Sequence, residues 1–140
     1  MSLTKKILIV DDDPDDIYLT KRALESTEYC LTYMFAENGQ QMLNLLTNSE
    51  DDNNLPDLIV LDLNMPEMDG KSALESISKV DPPVKCPIIV FSTSASNTDI
   101  EDAYRLGAKT FVKKPGSYSE LAAVMKKLCH YWFHIVRSAD

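Results

Sequence analysis

Few cysteines, no long apolar run, no excess of basic charge and no glycine-rich loop after the first apolar segment: each shortage removes a class of function. Cys30, Cys86 and Cys129 are odd in number, widely spaced and form no CxxC pair. Neither a disulfide framework nor a zinc site is implied, and the three read as buried, inert thiols. No apolar stretch approaches the roughly 20 residues that span a bilayer. The opening MSLTKK leads into only four apolar residues, ILIV, too few for a secretory leader. A cytoplasmic protein without a membrane partner is expected. Lys and Arg total 14 against 22 Asp and Glu, a formal net charge of −8. Phosphate backbones need a basic face, so nucleic acid is not the expected partner.

What is present is an ordinary globular composition, 44% hydrophobic and 26% charged over 140 residues, enough for one domain. Short apolar runs alternate with helical patterns. Strands are predicted over residues 7–10, 30–36, 57–63, 87–91 and 110–113, and helices over 17–26, 40–46, 70–79, 98–106 and 119–136. Asp81-Pro82-Pro83 stops the third helix and Gly107 closes the fourth. Several of the strands are apolar throughout, as in a parallel sheet covered on both faces. The polar segment 47–56 (TNSEDDNNLP) reads as a surface insertion. In such α/β sheets function gathers at the carboxyl ends of the strands, near the topological switch point. Asp11-Asp12, Asp62, Ser92 and Lys114 all fall at or just past strand ends.

The segment VDDDPDDI (10–17) holds five aspartates in eight positions. Three have a helical explanation. Pro14 suits a first helical position, where its missing N–H is no loss. Asp13 then caps the helix, and Asp15 and Asp16 sit in the first turn, where the helix dipole favours negative charge. Asp11 and Asp12 have no such explanation. Two carboxylates about 4 Å apart repel by roughly 4 kcal/mol at an effective dielectric of 20, and Asp62 joins them if strands one and three are neighbours. A hard cation such as Mg²⁺, which takes oxygen ligands, would neutralise the cluster; protonation, or an exposed acidic loop without a ligand, would also accommodate it.

With those residues in place, the sequence resembles the receiver domain of two-component response regulators. ILIVDDDP (7–14) resembles the acidic-pair segment and DLIVLDLNMPEMDG (57–70) the phosphoacceptor segment. PIIVFSTS (87–94) resembles the hydroxyl-bearing strand, and GAKTFVKKP (107–115) the strand with an aromatic residue and a Lys-Pro pair. Intervals of 51, 30 and 22 residues separate Asp11, Asp62, Ser92 and Lys114, in the family order. The resemblance covers residues 5–129, with 130–140 as an extension of the last helix and a tail, and no output domain. It implies a flavodoxin-like (βα)5 fold, a doubly wound five-stranded parallel sheet with helices on both faces. It implies that Asp62 accepts a phosphoryl group from a sensor histidine kinase or a histidine phosphotransfer protein. Mg²⁺ would be bound by Asp12, Asp62 and the backbone carbonyl of Asn64, with Asp11 acting through water. Lys114 would supply a cation and Ser92 a hydrogen bond to the phosphoryl group, and Phe111 would be the aromatic that turns inward with Ser92. Lys113 is the rival cation; the resemblance selects Lys114 because it directly precedes Pro115.

A stand-alone receiver of this kind acts on downstream protein targets, and the insertion and the FSTS strand exit resemble regulators that pair with phytochrome-like sensor kinases. Thr93 departs from the smaller residue common after the hydroxyl and, with Asn64, is expected to tune the lifetime of the acyl phosphate. On the last helix Leu121, Val124, Met125, Leu128, Trp132 and Ile135 form a core stripe. Tyr131, Trp132 and Phe133 trail beyond it as a candidate homodimer or partner contact. His130 and His134 lie one turn apart without a third ligand nearby and read as a solvated face. A Mg-dependent phosphohydrolase with an aspartyl nucleophile is the alternative, but Asp15 stands where such enzymes carry Thr or Val. An FMN carrier would need a glycine- and hydroxyl-rich phosphate loop in place of five acids.

Overall fold

A computed structural model describes residues 4–47, 55–63, 65, 70–80, 84–93 and 95–135. Strands β1 (Lys5–Val10), β2 (Leu31–Ala36), β3 (Leu58–Asp62), β4 (Ile88–Ser92) and β5 (Thr110–Lys113) alternate with helices α1 (Pro14–Glu25), α2 (Gly39–Thr47), α3 (Gly70–Ser78), α4 (Asn97–Arg105) and α5 (Tyr118–His130). All strand pairs are parallel, in the order β2-β1-β3-β4-β5. The chain steps from β1 outward to β2 and then crosses to the other side of β1 for β3. The switch point therefore lies between β1 and β3.

The apolar runs are explained by burial on both faces. Every residue of β3 and β4 is buried, as are the last four of β1. One core packs alternate strand residues such as Leu8, Ile59 and Val90 with Met42, Leu74 and Ala103 of α2, α3 and α4. The other packs Ile7, Val60 and Ile89 with Ala23 and Leu24 of α1 and Met125 and Cys129 of α5. Each fully buried aliphatic side chain contributes about 1.5–3 kcal/mol. Edge strands β2 and β5 are only partly buried.

Helix ends follow local chemistry. Pro14 opens α1 and Asp13 caps it, as expected, by accepting a hydrogen bond from the Asp15 N–H at 2.9 Å; the apolar pattern alone, starting at Ile17, marks only the later part of the helix. Ser96 and Ser117 cap α4 and α5 in the same way. Gly107, at φ 110°, closes α4. The long final helix predicted over 119–136 is divided: α5 is α-helical to His130, and a π-helical turn spans Tyr131–Ile135. Leu121, Val124, Met125, Leu128, Trp132 and Phe133 all pack on the α1–α5 core, with Phe133 edge-on to Tyr29 at 5.8 Å. Tyr131 alone of the trailing aromatics is well exposed. The cysteine expectation holds for Cys129, which is buried, but Cys86 is half-buried and Cys30 exposed on the edge beside β2. The predicted loop tip 48–54, the Asp81-Pro82-Pro83 stop and the tail from 136 lie outside the described residues.

Candidate functional site

Register assembles the acidic cluster. Val10 of β1 is aligned with Leu61 of β3, so the next residues, Asp11 and Asp62, emerge opposite each other at the switch point. Asp11, Asp12 and Asp62 each offer a carboxylate oxygen within 4.8 Å of the others. Asp11 and Asp62 are 4% and 7% exposed, whereas Asp12 faces solvent. This is the only group of three or more such ligands among the described residues. His130 and His134, with rings stacked at 4.9 Å, gain no third ligand there.

Local contacts fix the cluster in place. The Asp13 N–H donates to Asp11 Oδ1 at 3.0 Å, a by-product of the turn into α1. Burial pushes the Asp11 carboxyl above its ordinary range, more than the Asp13 N–H and the Lys114 ammonium pull it down. Asp62 ends a fully buried strand, and its surroundings are fixed from the far side by Gly70. The Gly70 N–H donates to the Leu63 carbonyl at 3.0 Å. A Cβ at position 70 would sit 2.6 Å from Leu63 Cα and 2.9 Å from the Asp62 carbonyl oxygen. Only glycine lets α3 start this close to the β3 exit.

β4 and β5 deliver the remaining groups. Ser92 is fully buried at the end of β4. It is aligned with Lys113, and its carbonyl accepts from the Lys114 N–H at 2.9 Å. The neighbours diverge as alternation on a strand requires: Lys113 is exposed, while Lys114 Nζ reaches 3.1 Å from Asp11 and 3.6 Å from Asp62. Burial alone depresses the Lys114 amine, but Asp11, Asp62 and Asp16 together outweigh it and hold the amine above its ordinary value. Phe111, aligned with Val90, packs half-buried against the α2–α3–α4 core, and its N–H donates to the Tyr104 hydroxyl of α4 at 3.1 Å. Thr93 is exposed beyond Ser92. Asn64 lies outside the described residues.

Three contacts were not read from sequence. Asp16 Oδ2 lies 3.2 Å from Lys114 Nζ. Lys71, next to Gly70, bridges α3 to α4 through Asp99 at 2.6 Å and Asp102 at 3.2 Å. Tyr104 reaches the β5 backbone. Asp16 sits in the first turn of α1, where the helix dipole explains an acid without any partner.

Cation chemistry fits this donor set. Three carboxylates gather with one lysine, and a hard divalent ion takes such oxygen ligands readily. No helix among the described residues is long and apolar enough to cross a membrane.

Comparison with known proteins agrees with this geometry. The profile of the response regulator receiver domain matches residues 7–126. The chemotaxis protein CheY of Thermotoga maritima is 31% identical over 124 residues, covering 89% of this chain and 97% of that protein. The phosphorylated cyanobacterial phytochrome response regulator RcpA superposes with a TM-score of 0.87 at 28% identity, covering 99% of this chain and 100% of that one. The Mn²⁺-bound response regulator Rcp1 gives 0.83 at 25% identity, covering 97% and 99%. The chain spans only 33% of the length of a protein-glutamate methylesterase of Methanococcoides burtonii, to which it is 36% identical. Strand order, acidic cluster and profile agree, and the chain belongs to the response regulator receiver domain family of two-component signalling proteins.

Proposed function

We propose that Asp62 is the phosphoacceptor of a two-component pathway and that its phosphorylation controls protein partners. The observation that carries this reading is the convergence of Asp62 with Asp11, Asp12 and Lys114 at one strand-end site. A carboxylate oxygen of Asp62 forms a bond to phosphorus while the phosphorus–nitrogen bond to a donor phosphohistidine breaks, returning the electron pair to the imidazole. Such transfers need positioning and charge neutralisation more than covalent assistance. Asp12, Asp62 and the Asn64 carbonyl would hold Mg²⁺, with Asp11 acting through water, and the ion would neutralise charge on the carboxylates and on the phosphoryl oxygens. Lys114 pairs with one phosphoryl oxygen, and the Ser92 hydroxyl donates to another. Ser92 is buried, so its movement toward the phosphoryl group opens room for Phe111 to turn inward, favouring a second conformation. Thr93 and Asn64 govern how water reaches the acyl phosphate.

The donor is a sensor histidine kinase or a histidine phosphotransfer protein; likeness to the phytochrome response regulator RcpA supports a phytochrome-like kinase. The receiver unit spans residues 5–129, with 130–140 as an extension, and works in the cytoplasm by protein contact, including a homodimer. The chain's net charge of −8 favours protein targets over nucleic acid. Acetyl phosphate with Mg²⁺ tests the reading: the wild type gains one phosphoryl group per chain, lost in Asp62→Ala. No uptake, or equal uptake by the variant, overturns it, and turnover of many equivalents of a phosphomonoester would instead indicate a hydrolase.

A further inference from the structure

Lys114 is approached by three carboxylates, and one of them stands outside the acidic cluster. Asp11 Oδ2 is 3.1 Å from Nζ, Asp16 Oδ2 3.2 Å and Asp62 Oδ2 3.6 Å. Contacts with Asp11 and Asp16 have hydrogen-bond geometry; Asp62 is the most distant of the three. Asp16 belongs to the first turn of α1, and its side chain is 41% exposed, whereas Asp11 and Asp62 are buried. The helix dipole explains an acid in that turn. It does not explain why the side chain is directed onto an amine 98 residues away. The backbone from which that amine extends is itself fixed, since the Lys114 N–H donates to the Ser92 carbonyl.

We propose that Asp16 is a positioning residue for phosphoryl transfer: with Asp11 it holds the Lys114 amine back from Asp62, and it gives the amine up when a phosphoryl group arrives. The inference rests on the reading of Asp62 as phosphoacceptor and Lys114 as its cation. A lysine ammonium has three donors. Turning them to Asp11 and Asp16 leaves the Asp62 oxygen less masked as a nucleophile. A phosphoryl group on Asp62 competes for the same donors, so any preference of Lys114 for Asp16 is subtracted from the affinity for the phosphoryl group. The pair is partly exposed, and such pairs contribute modestly, so the change on removing it is about two- to fivefold. Asp16 thereby sets how far the phosphorylated state is populated without touching the reacting atoms.

Beryllium trifluoride, which seats on a carboxylate in the shape of a phosphoryl group, provides the test. It is titrated into the full chain at saturating Mg²⁺, with backbone amide NMR shifts as readout. Asp16→Asn keeps the side-chain size, removes the charge and binds about two- to fivefold tighter. Asp16→Glu, which restores a carboxylate, returns toward the wild type. Asp15→Asn removes the same charge from the same helical turn, where the side chain is exposed, and binds as the wild type does. Unchanged or weaker binding by Asp16→Asn, or an equal gain by Asp15→Asn, overturns the proposal and leaves Asp62 as phosphoacceptor. A wild type that does not bind, or binding that survives in Asp62→Ala, overturns that underlying reading and this inference with it.

Discussion

Replacing Asp62 by Asn should make the metal-free protein more stable, although it removes an ion-pair partner of Lys114. Asp62 and Asp11 offer oxygens within 4.8 Å, worth about 3.5 kcal/mol of repulsion at an effective dielectric of 20. Asp12 adds less, because it faces water and is screened. Against this, Lys114 at 3.6 Å attracts Asp62 by about 4.6 kcal/mol on the same scale. The Coulomb terms nearly cancel, so desolvation decides the sign. Asp62 is only 7% exposed, and burying a carboxylate costs several kcal/mol even after relaxation. Asn keeps the shape and avoids most of that cost. A gain of about 1–3 kcal/mol follows, or roughly 3–10 °C in melting temperature for a domain of this size. Urea and thermal melts in chelator check it. In Mg²⁺ the wild type should recover ground by ligand linkage, about 2.7 kcal/mol at a hundredfold excess over Kd, and Asp62→Asn should recover much less. An Asn variant that melts at or below the wild type in chelator would refute the reasoning.

Gly70→Ala drives a Cβ to 2.6 Å from Leu63 Cα and should destabilise by about 2–4 kcal/mol in urea melts; a change below 1 kcal/mol would mean that the β3 exit is slack. Lys71→Ala removes the bridge to Asp99 and Asp102. Global stability should fall by less than about 1 kcal/mol, while amide exchange rises along α4, which buries only Ala103; exchange confined to α3 would contradict this. Burial raises the Asp11 carboxyl above 3.8, so the folded chain holds that proton more tightly than the unfolded one. Its contribution to stability therefore falls as pH rises from 3.8 through the raised folded value, then levels off. Metal-free melts of Asp11→Asn against the wild type should show the variant's advantage growing over that window and constant above it; a flat or shrinking advantage would be inconsistent with burial as the cause.

Much of the fold was legible because parallel strands buried on both faces leave an unmistakable pattern. LIVLD and IIVFS are buried at every position, and Asp13-Pro14 and Gly107 mark helix ends by chemistry that acts locally. The misses share a cause as well. The split of the last helix at His130 comes where Trp132 and Phe133 pack on the α1–α5 core, Phe133 against Tyr29 from across the domain. Helical periodicity cannot distinguish an α-turn from a π-turn when both keep the same side chains on the core. Cys30 reads as a core thiol by residue type, but its place beside an edge strand exposes it.

The site divides along the same line. Asp11 and Asp62 could be brought together from sequence because one fact, the adjacency of β1 and β3, fixes both, and the alignment of Val10 with Leu61 then leaves no freedom. Ser92 and Lys114 follow from the next two pairings outward. Asp16 depends instead on the rotation of α1 about its axis, which is set by Ala23 and Leu24 packing beneath it two turns later. Rotating that helix by one residue, about 100°, would turn Asp16 away from Lys114 while leaving every strand pairing intact. The helix dipole does not choose the rotation, since Asp15 and Asp16 gain alike from it. The apolar face of α1 chooses it, so the partner of the site's lysine is decided by core residues that carry no charge.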